Sequence, residues 1–495
     1  MKYRFAVPLL LAIAVAMVWI FPYLPMTDAP EHMLIAKILS VYGHSNLGYE
    51  EFYTAKLPWN PYSLYFLAVY ALSALVSIET ATRAFLSATF ILTIAAYWYW
   101  LHTLAPQRKA QTVPAVLLLF GLFFFIGMLN FLISIPLMFF AMTLAWKLGS
   151  EPGPLLRLQV LLALTLLVIY LSHPVTFGLT VAVLGAQWLL FLRKRLPALV
   201  LASAPSLLIF GFYFAFRAAG EVPSYGVTWY PFLTRVETLL LPFGAFRDPK
   251  GNAFVLSGEI TYFWGAVAVI VVAGAVSRRQ RQRGGAMLAF AALFIAAALL
   301  CPSTIVGGQP GAMRITYPVS FVVLAALPAD WHDRPRLRWL MCCICIAAFC
   351  ALGYRFALFQ TEMQELREVV SAIPPRQVIQ PVITDSHASG LHTYPLLHAA
   401  AWYCFYQGGI SAYSFSESPY FPVRQRQYFV KNPPGEWSMD DFQYERHQAG
   451  TQYFLVRTTR EDIVKDIERH VPLASQSGKW KVFGPNPPST GHALN

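Results

Sequence analysis

The chain has 495 residues, of which 57% are hydrophobic and only 13% charged, and its formal net charge is +12. A soluble domain carries about 25% charged residues, so this composition excludes an ordinary water-facing surface, and lipid has to cover the difference. The Lys and Arg residues stand in short clusters between apolar runs, which is a topological pattern and excludes the continuous basic face that a nucleic-acid partner requires.

Lys2 and Arg4 precede an apolar run, Phe5 to Pro25, that is too long for the core of a cleaved secretory signal, so it reads as an uncleaved first helix. Twelve candidate spans begin near Phe5, Pro61, Ala84, Val113, Phe131, Leu156, Val175, Leu196, Ile260, Ala286, Ile315 and Trp339. Most approach the ~20 residues a helix needs to cross hydrocarbon. Val113 to Trp146 and Leu155 to Leu192 are too long for one crossing and read as hairpins, broken at Gly127-Met128-Leu129-Asn130 and at Ser172-His173-Pro174.

Positive charge favours the cytoplasmic side. This places the N-terminus, Arg193-Lys194-Arg195, Arg278 to Arg283 and Arg334 to Arg338 in the cytoplasm of an inner-membrane protein. The loops 26 to 60 and 220 to 258 and the C-terminal domain then lie outside. Twelve crossings would return the C-terminus to the cytoplasm. The charge clusters agree with one another, so an odd count of eleven or thirteen is expected, with the error between Pro61 and Leu192. The fold class is an all-α polytopic membrane domain over residues 1 to 358, followed by a soluble α/β or α+β domain over 359 to 495. Strand-like runs at Val378 to Thr384, Tyr453 to Arg457 and Trp480 to Phe483 mark that second domain. It contains only Cys404 of the six cysteines, so no internal disulfide is available and it is expected to stand on its own core.

The most informative segment follows the first span: Thr27-Asp28-Ala29-Pro30-Glu31-His32-Met33-Leu34-Ile35-Ala36-Lys37-Ile38-Leu39. At about 100° per residue, Asp28, Glu31 and His32 share one face, and Leu34, Ile38 and Val41 share another that is expected to lie on the membrane. Helix initiation accounts for part of this motif, because Asp28 suits an N-cap, Pro30 the first turn and Glu31 the capping-box position. His32 has no capping role.

A first helix, an outer loop opening on an acidic motif, the aromatic-proline run Pro58-Trp59-Asn60-Pro61-Tyr62-Ser63-Leu64-Tyr65 and then Thr82-Arg83-Ala84-Phe85 together resemble the GT-C superfamily. Its members are membrane glycosyltransferases of the protein mannosyltransferase and aminoarabinose transferase type. The resemblance covers roughly residues 1 to 150 by motif and the remainder by architecture. It implies a polyprenyl-phosphate sugar lipid as donor, an extracytoplasmic glycan, lipid or protein acceptor, and inversion at the anomeric carbon. Asp28 matches the acidic residue that acts as general base. The chain departs from the commoner acidic doublet, since Ala29 follows Asp28; Glu31 or His32 is left to orient the acceptor or to bind a divalent metal.

The departing phosphate needs cations. Arg314, at the outer mouth of a span, is the first candidate and Arg83 a second, although Arg83 is expected to face the cytoplasm. His173 and Asn130, at the two hairpin breaks, are further polar candidates, with solvated turn chemistry and helix–helix hydrogen bonding as their ordinary explanations. Asp385, His387, His392 and His398 cluster in sequence but match no metal spacing. A transporter or flippase of a lipid-linked glycan is the first rival, and it lacks support from duplicated halves or charged midplane residues. A non-enzymatic envelope assembly protein is the second.

Overall fold

The structure is a computed structural model and describes residues 3–56, 61–151, 155–191, 196–217, 227–241, 245–247, 254–256, 261–276, 285–305, 309–391, 393–418 and 421–485. The clusters at 193–195 and 278–283, parts of the outer loop 220–258, Pro58 to Asn60 and His392 lie outside the described residues.

Apolar sequence makes the first part helical. The chain opens with α1 (Tyr3–Ile20) and the outer helix α2 (Ala29–Val41), then a short strand β1 (Tyr53–Ala55) and a short helix α3 (Leu64–Ser73). A long run of helices follows: α4 (Ile78–Leu104), α5 (Pro106–Ile126, partly 3-10), α6 (Leu129–Ser150), α7 (Leu156–Ser172), α8 (Pro174–Phe191) and α9 (Leu196–Arg217). Beyond the second outer loop come α10 (Thr261–Val276), α11 (Gly285–Leu300), α12 (Ala312–Ala326) and α13 (Pro335–Val370).

Six of these, α4, α5, α6, α8, α9 and α13, contain a stretch long and apolar enough to cross a membrane by length and composition. α1, α7, α10, α11 and α12 are further apolar helices of 15 to 18 residues. The span expected near Pro61 is too short to cross. Its helix α3 has 10 residues, about 15 Å of rise against some 30 Å of hydrocarbon. Its start is tied to the end of α7 by Ser63 N–H to Leu171 O, 2.8 Å. The next helix begins on the same side, where Arg83 Nη2 donates to Pro22 O at 2.7 Å.

Local signals set the helix ends. Ser77 caps α4, its hydroxyl accepting from Thr80 N–H at 3.2 Å. At the opposite end of the bundle, Arg108 Nη1 meets the last carbonyls of α12, at 2.9 Å from Ala325 O and 2.8 Å from Leu327 O. Those carbonyls have no helical partner, and a guanidinium satisfies both their lone pairs and the negative end of the helix dipole.

The C-terminal domain is α+β. A five-stranded sheet is built from β2 (Val378–Ile383), β3 (Ile410–Ser411), β5 (Tyr453–Arg457), β6 (Leu473–Ser477) and β7 (Trp480–Phe483) in the order β6-β7-β5-β2-β3. Strand β2 runs parallel to both its neighbours, β5 and β3, and the side toward β6 is antiparallel. Both β2 and β5 are buried along their whole length, as their continuous apolar runs require. Helix α13 continues without a break from the membrane to Val370, past residue 358, and carries the sheet on its end.

The domain does not stand only on its own core. A small separate cluster surrounds Val382, Phe454 and Ile463. Ile379, Trp402, Tyr403, Leu455 and Trp480 instead join one continuous hydrophobic core with the membrane helices. The strand β4 (Val423–Gln425) pairs antiparallel with β1 of the outer loop. Helix α2 therefore does not lie on the bilayer surface as its periodicity suggested. Leu34 and Ile38 are buried, and so are Glu31 and His32 on the polar face, because helices α3 and α4 and the C-terminal domain pack around α2.

Candidate active site

The polar centre is assembled where three segments meet. The chain before α2 is bolted to the end of α5: Thr27 N–H donates to Phe125 O and Asp28 N–H to Ile126 O, both at 2.8 Å. The turn that ends α5 passes very close. At Gly127, φ is +87° and an added Cβ would stand 2.8 Å from Ala29 N, so only glycine fits.

Asp28 does not cap α2. Its backbone is in the αR region and its side chain makes no capping hydrogen bond. Its Oδ1 lies 3.4 Å from Nδ1 of His398, which comes from the C-terminal domain. Nε2 of the same ring lies 3.1 Å from Glu436 Oε1. The Asp28 side chain is 18% exposed and the His398 side chain 7%. Burial by itself would push His398 down, but its hydrogen bonds to Asp28 and Glu436 outweigh that and hold it well above 6.5.

The capping box is likewise absent. Glu31 Oε2 instead accepts from the Ser414 hydroxyl at 3.1 Å and the Phe415 N–H at 3.0 Å. Burial raises this carboxyl to about 7 against the attraction of His398 and these donors. His32 is fully buried among the rings of Tyr65, Phe66, Phe415 and Phe421, with centroids 5.4 to 5.9 Å away. Neither ring nitrogen has a hydrogen-bond partner among the described residues. Burial pushes it down to about 4, so it is neutral. Asp28, Glu31 and His32 do share a face, as expected, but each is engaged separately. Among the described residues no three His, Cys, Asp or Glu side chains converge on a point where a metal would sit. In Asp28–His398–Glu436 the imidazole stands between the two carboxylates with both nitrogens occupied by them.

Arg314, buried at the start of α12, is brought to this centre. Tyr62 lies between them electrostatically: burial pushes its phenol up, the Arg314 guanidinium opposes the shift and the Asp28 carboxylate adds to it. Tyr62 has φ +79°, a strained value for a residue with a Cβ, of order 1–3 kcal/mol. Asn130 holds it there, donating from Nδ2 to Tyr62 O at 3.0 Å and accepting from Tyr65 N–H at 2.7 Å. His173 packs edge-on to Tyr62 and Phe131, with ring centroids at 5.6 and 5.2 Å, and its Nδ1 is 3.4 Å from Thr176 N. Asn130 and His173 thus flank Tyr62 at the two hairpin breaks.

Arg83 belongs elsewhere. It stands on the side of the C-terminal domain, contrary to the expectation that it faced the cytoplasm, because α3 does not cross, and its guanidinium is given to the Pro22 carbonyl. Of the described residues of the histidine-rich run, Asp385 pairs with Lys479 at 3.0 Å and His387 Nδ1 sits 3.0 Å from Thr393 O, while His398 turns to Asp28. Glu436 carries no motif of its own, and His398 stands among neighbours with other partners.

These features define a polytopic membrane protein whose first acidic motif is covered by a C-terminal α+β domain. The chain superposes on ArnT from Cupriavidus metallidurans, in its crystal structure bound to undecaprenyl phosphate, with a TM-score of 0.50, 10% identity, and 97% of this chain and 98% of that chain covered. The apo crystal structure of the same protein aligns at a TM-score of 0.46, 10% identity and 97% of each chain. No protein-family profile and no curated protein matches the sequence. At this identity the likeness concerns the fold, and the chemistry has to be argued from the residues.

Proposed function

We propose that the protein is an inverting membrane glycosyltransferase. It moves a sugar from a polyprenyl-phosphate carrier to an acceptor on the extracytoplasmic side of the inner membrane, with Asp28 as general base. The acceptor hydroxyl oxygen attacks the anomeric carbon, the bond to phosphate breaks with its electron pair leaving on the phosphate oxygen, and the hydroxyl proton passes to the Asp28 carboxylate. Arg314 is the cation placed to meet the phosphate as its charge develops. The observation that carries this reading is that Asp28 is spared from capping its helix, is partly exposed, and shares one polar centre with Arg314. ArnT's complex with undecaprenyl phosphate supports the lipid carrier, and the charge clusters support the orientation.

The test is purified protein assayed against a panel of polyprenyl-phosphate sugars. Asp28→Asn is expected to lower turnover by roughly 10²–10⁴-fold, and Arg314→Met by about 10²–10³-fold. Equal turnover of Asp28→Asn and wild type removes the base. No turnover with any donor, together with passage of a lipid-linked glycan across proteoliposomes, turns the reading to transport.

A further inference from the structure

Three groups surround the His398 ring nitrogens, and all three are acceptors. The Thr27 carbonyl lies 3.1 Å and Asp28 Oδ1 3.4 Å from Nδ1, and Glu436 Oε1 lies 3.1 Å from Nε2. A neutral imidazole has one N–H and one lone pair, so on one side it would set its lone pair against an oxygen. Only the doubly protonated ring satisfies both sides. Its charge is then balanced by two carboxylates in a place that water hardly reaches.

Asp28 meets the ring through Oδ1, and its side chain is 18% exposed. Besides Asp28 and Glu436, the titratable groups that act on this ring are Glu31 and His32, both on α2. Arg314 acts on Asp28 from α12. The Phe415 ring closes the remaining side, 5.1 Å from the imidazole.

We infer that His398, as an imidazolium, is a positioning residue of the catalytic centre: it fixes the Asp28 carboxylate through Oδ1 and leaves Oδ2 for the acceptor hydroxyl. The C-terminal domain is thereby part of the active site. This rests on the reading of Asp28 as the base, and the experiment separates the two.

Profiles of kcat/KM against pH are measured for wild type, His398→Gln and Glu436→Gln with an active polyprenyl-phosphate sugar. In parallel, the ring nitrogens of His398 are titrated by NMR in protein labelled with 15N-histidine. Wild type is expected to lose activity on the alkaline side as His398 gives up its second proton, above pH 6.5. Glu436→Gln removes one of the two carboxylates that hold that proton and moves the alkaline limb down by about one pH unit. His398→Gln abolishes that limb and lowers kcat about 10- to 100-fold, with KM for the donor little changed. A Glu436→Gln profile superimposable on that of wild type, or a His398→Gln profile that keeps the alkaline limb, overturns the inference. So does a neutral His398 ring at pH 7 in the NMR titration, whatever Asp28→Asn does. A protonated ring whose limb moves as stated, in a protein indifferent to Asp28→Asn, keeps the clamp and removes the base.

Discussion

Two ion clusters tie the C-terminal domain to the rest of the chain, and they are built differently. In the first, fully buried Arg457 gives Nη2 to Glu362 Oε2 at 2.6 Å and Nε to the Asp385 carbonyl at 2.9 Å, and stacks over Trp480 at 5.2 Å. Ser389 N–H takes the other Glu362 oxygen at 2.5 Å. Opposite charges face each other, and both carboxylate oxygens of Glu362 have a donor. In the second, one imidazole stands between two carboxylates, an adjacent carboxyl is pushed up to about 7, and a buried imidazole beside it has no ring hydrogen bond among the described residues. The first arrangement pairs the charges it buries, leaving Arg457 Nη1 without a hydrogen-bond partner among the described residues. The second sets a partly exposed carboxylate beside a fully buried imidazole that has no partner among the described residues, a pattern that functional sites favour.

The contrast breaks most visibly through stability. Arg457→Met strands Glu362 and Asp385 and should cost about 3–5 kcal/mol. Thermal unfolding in detergent would show this as a large downward shift, while Asp28→Asn should move the same transition little. If the two variants unfold alike, the clusters are not different in kind.

Next in size is the pH dependence that Glu31 imposes. Its carboxyl ionises near 4.5 in the unfolded chain and near 7 in the folded one. Over that window the unfolded state releases a proton the native state keeps. Stability from this group is therefore full below pH 4.5 and is lost as pH rises through 7, by at most about 3 kcal/mol. Glu31→Gln should flatten the unfolding temperature between those limits, and an unchanged pH slope refutes the assignment.

Gly127→Ala sharpens the comparison from the backbone side. A methyl group there meets the amides of Asp28 and Ala29 at positive φ, so a loss of about 1–3 kcal/mol is expected. Turnover should fall with it, because Asp28 has to move. The smallest effect is that of Asn130→Ala, which frees the Tyr62 carbonyl and the Tyr65 N–H, for about 1–2 kcal/mol. Its sign in activity tests whether the strain at Tyr62 matters to the site.

The membrane helices were legible because hydropathy is a local property: the hairpin breaks at Gly127 and His173 fall where the sequence puts them. The span at Pro61 was misread for the same reason, since a short apolar helix packed against protein has the composition of a crossing and differs only in length. Periodicity in α2 announced two faces but not what covers them. Asp28 and Arg314 could be singled out as candidates because a charge beside an apolar span is a local signal. The place of His398 could not be read, because its partners on the first segment lie some 370 residues away, and Glu436 joins them only through His398.

The pairing of Tyr53–Ala55 with Val423–Gln425 has a consequence for biogenesis. The ribosome delivers the acidic loop near the start of its work and the strand that completes it near the finish. At ~5–20 residues per second, that interval lasts on the order of tens of seconds. During that time the apolar helices can insert, but the loop stays unclosed, so a chain stalled before residue 423 would be a membrane protein whose loop lacks its paired strand.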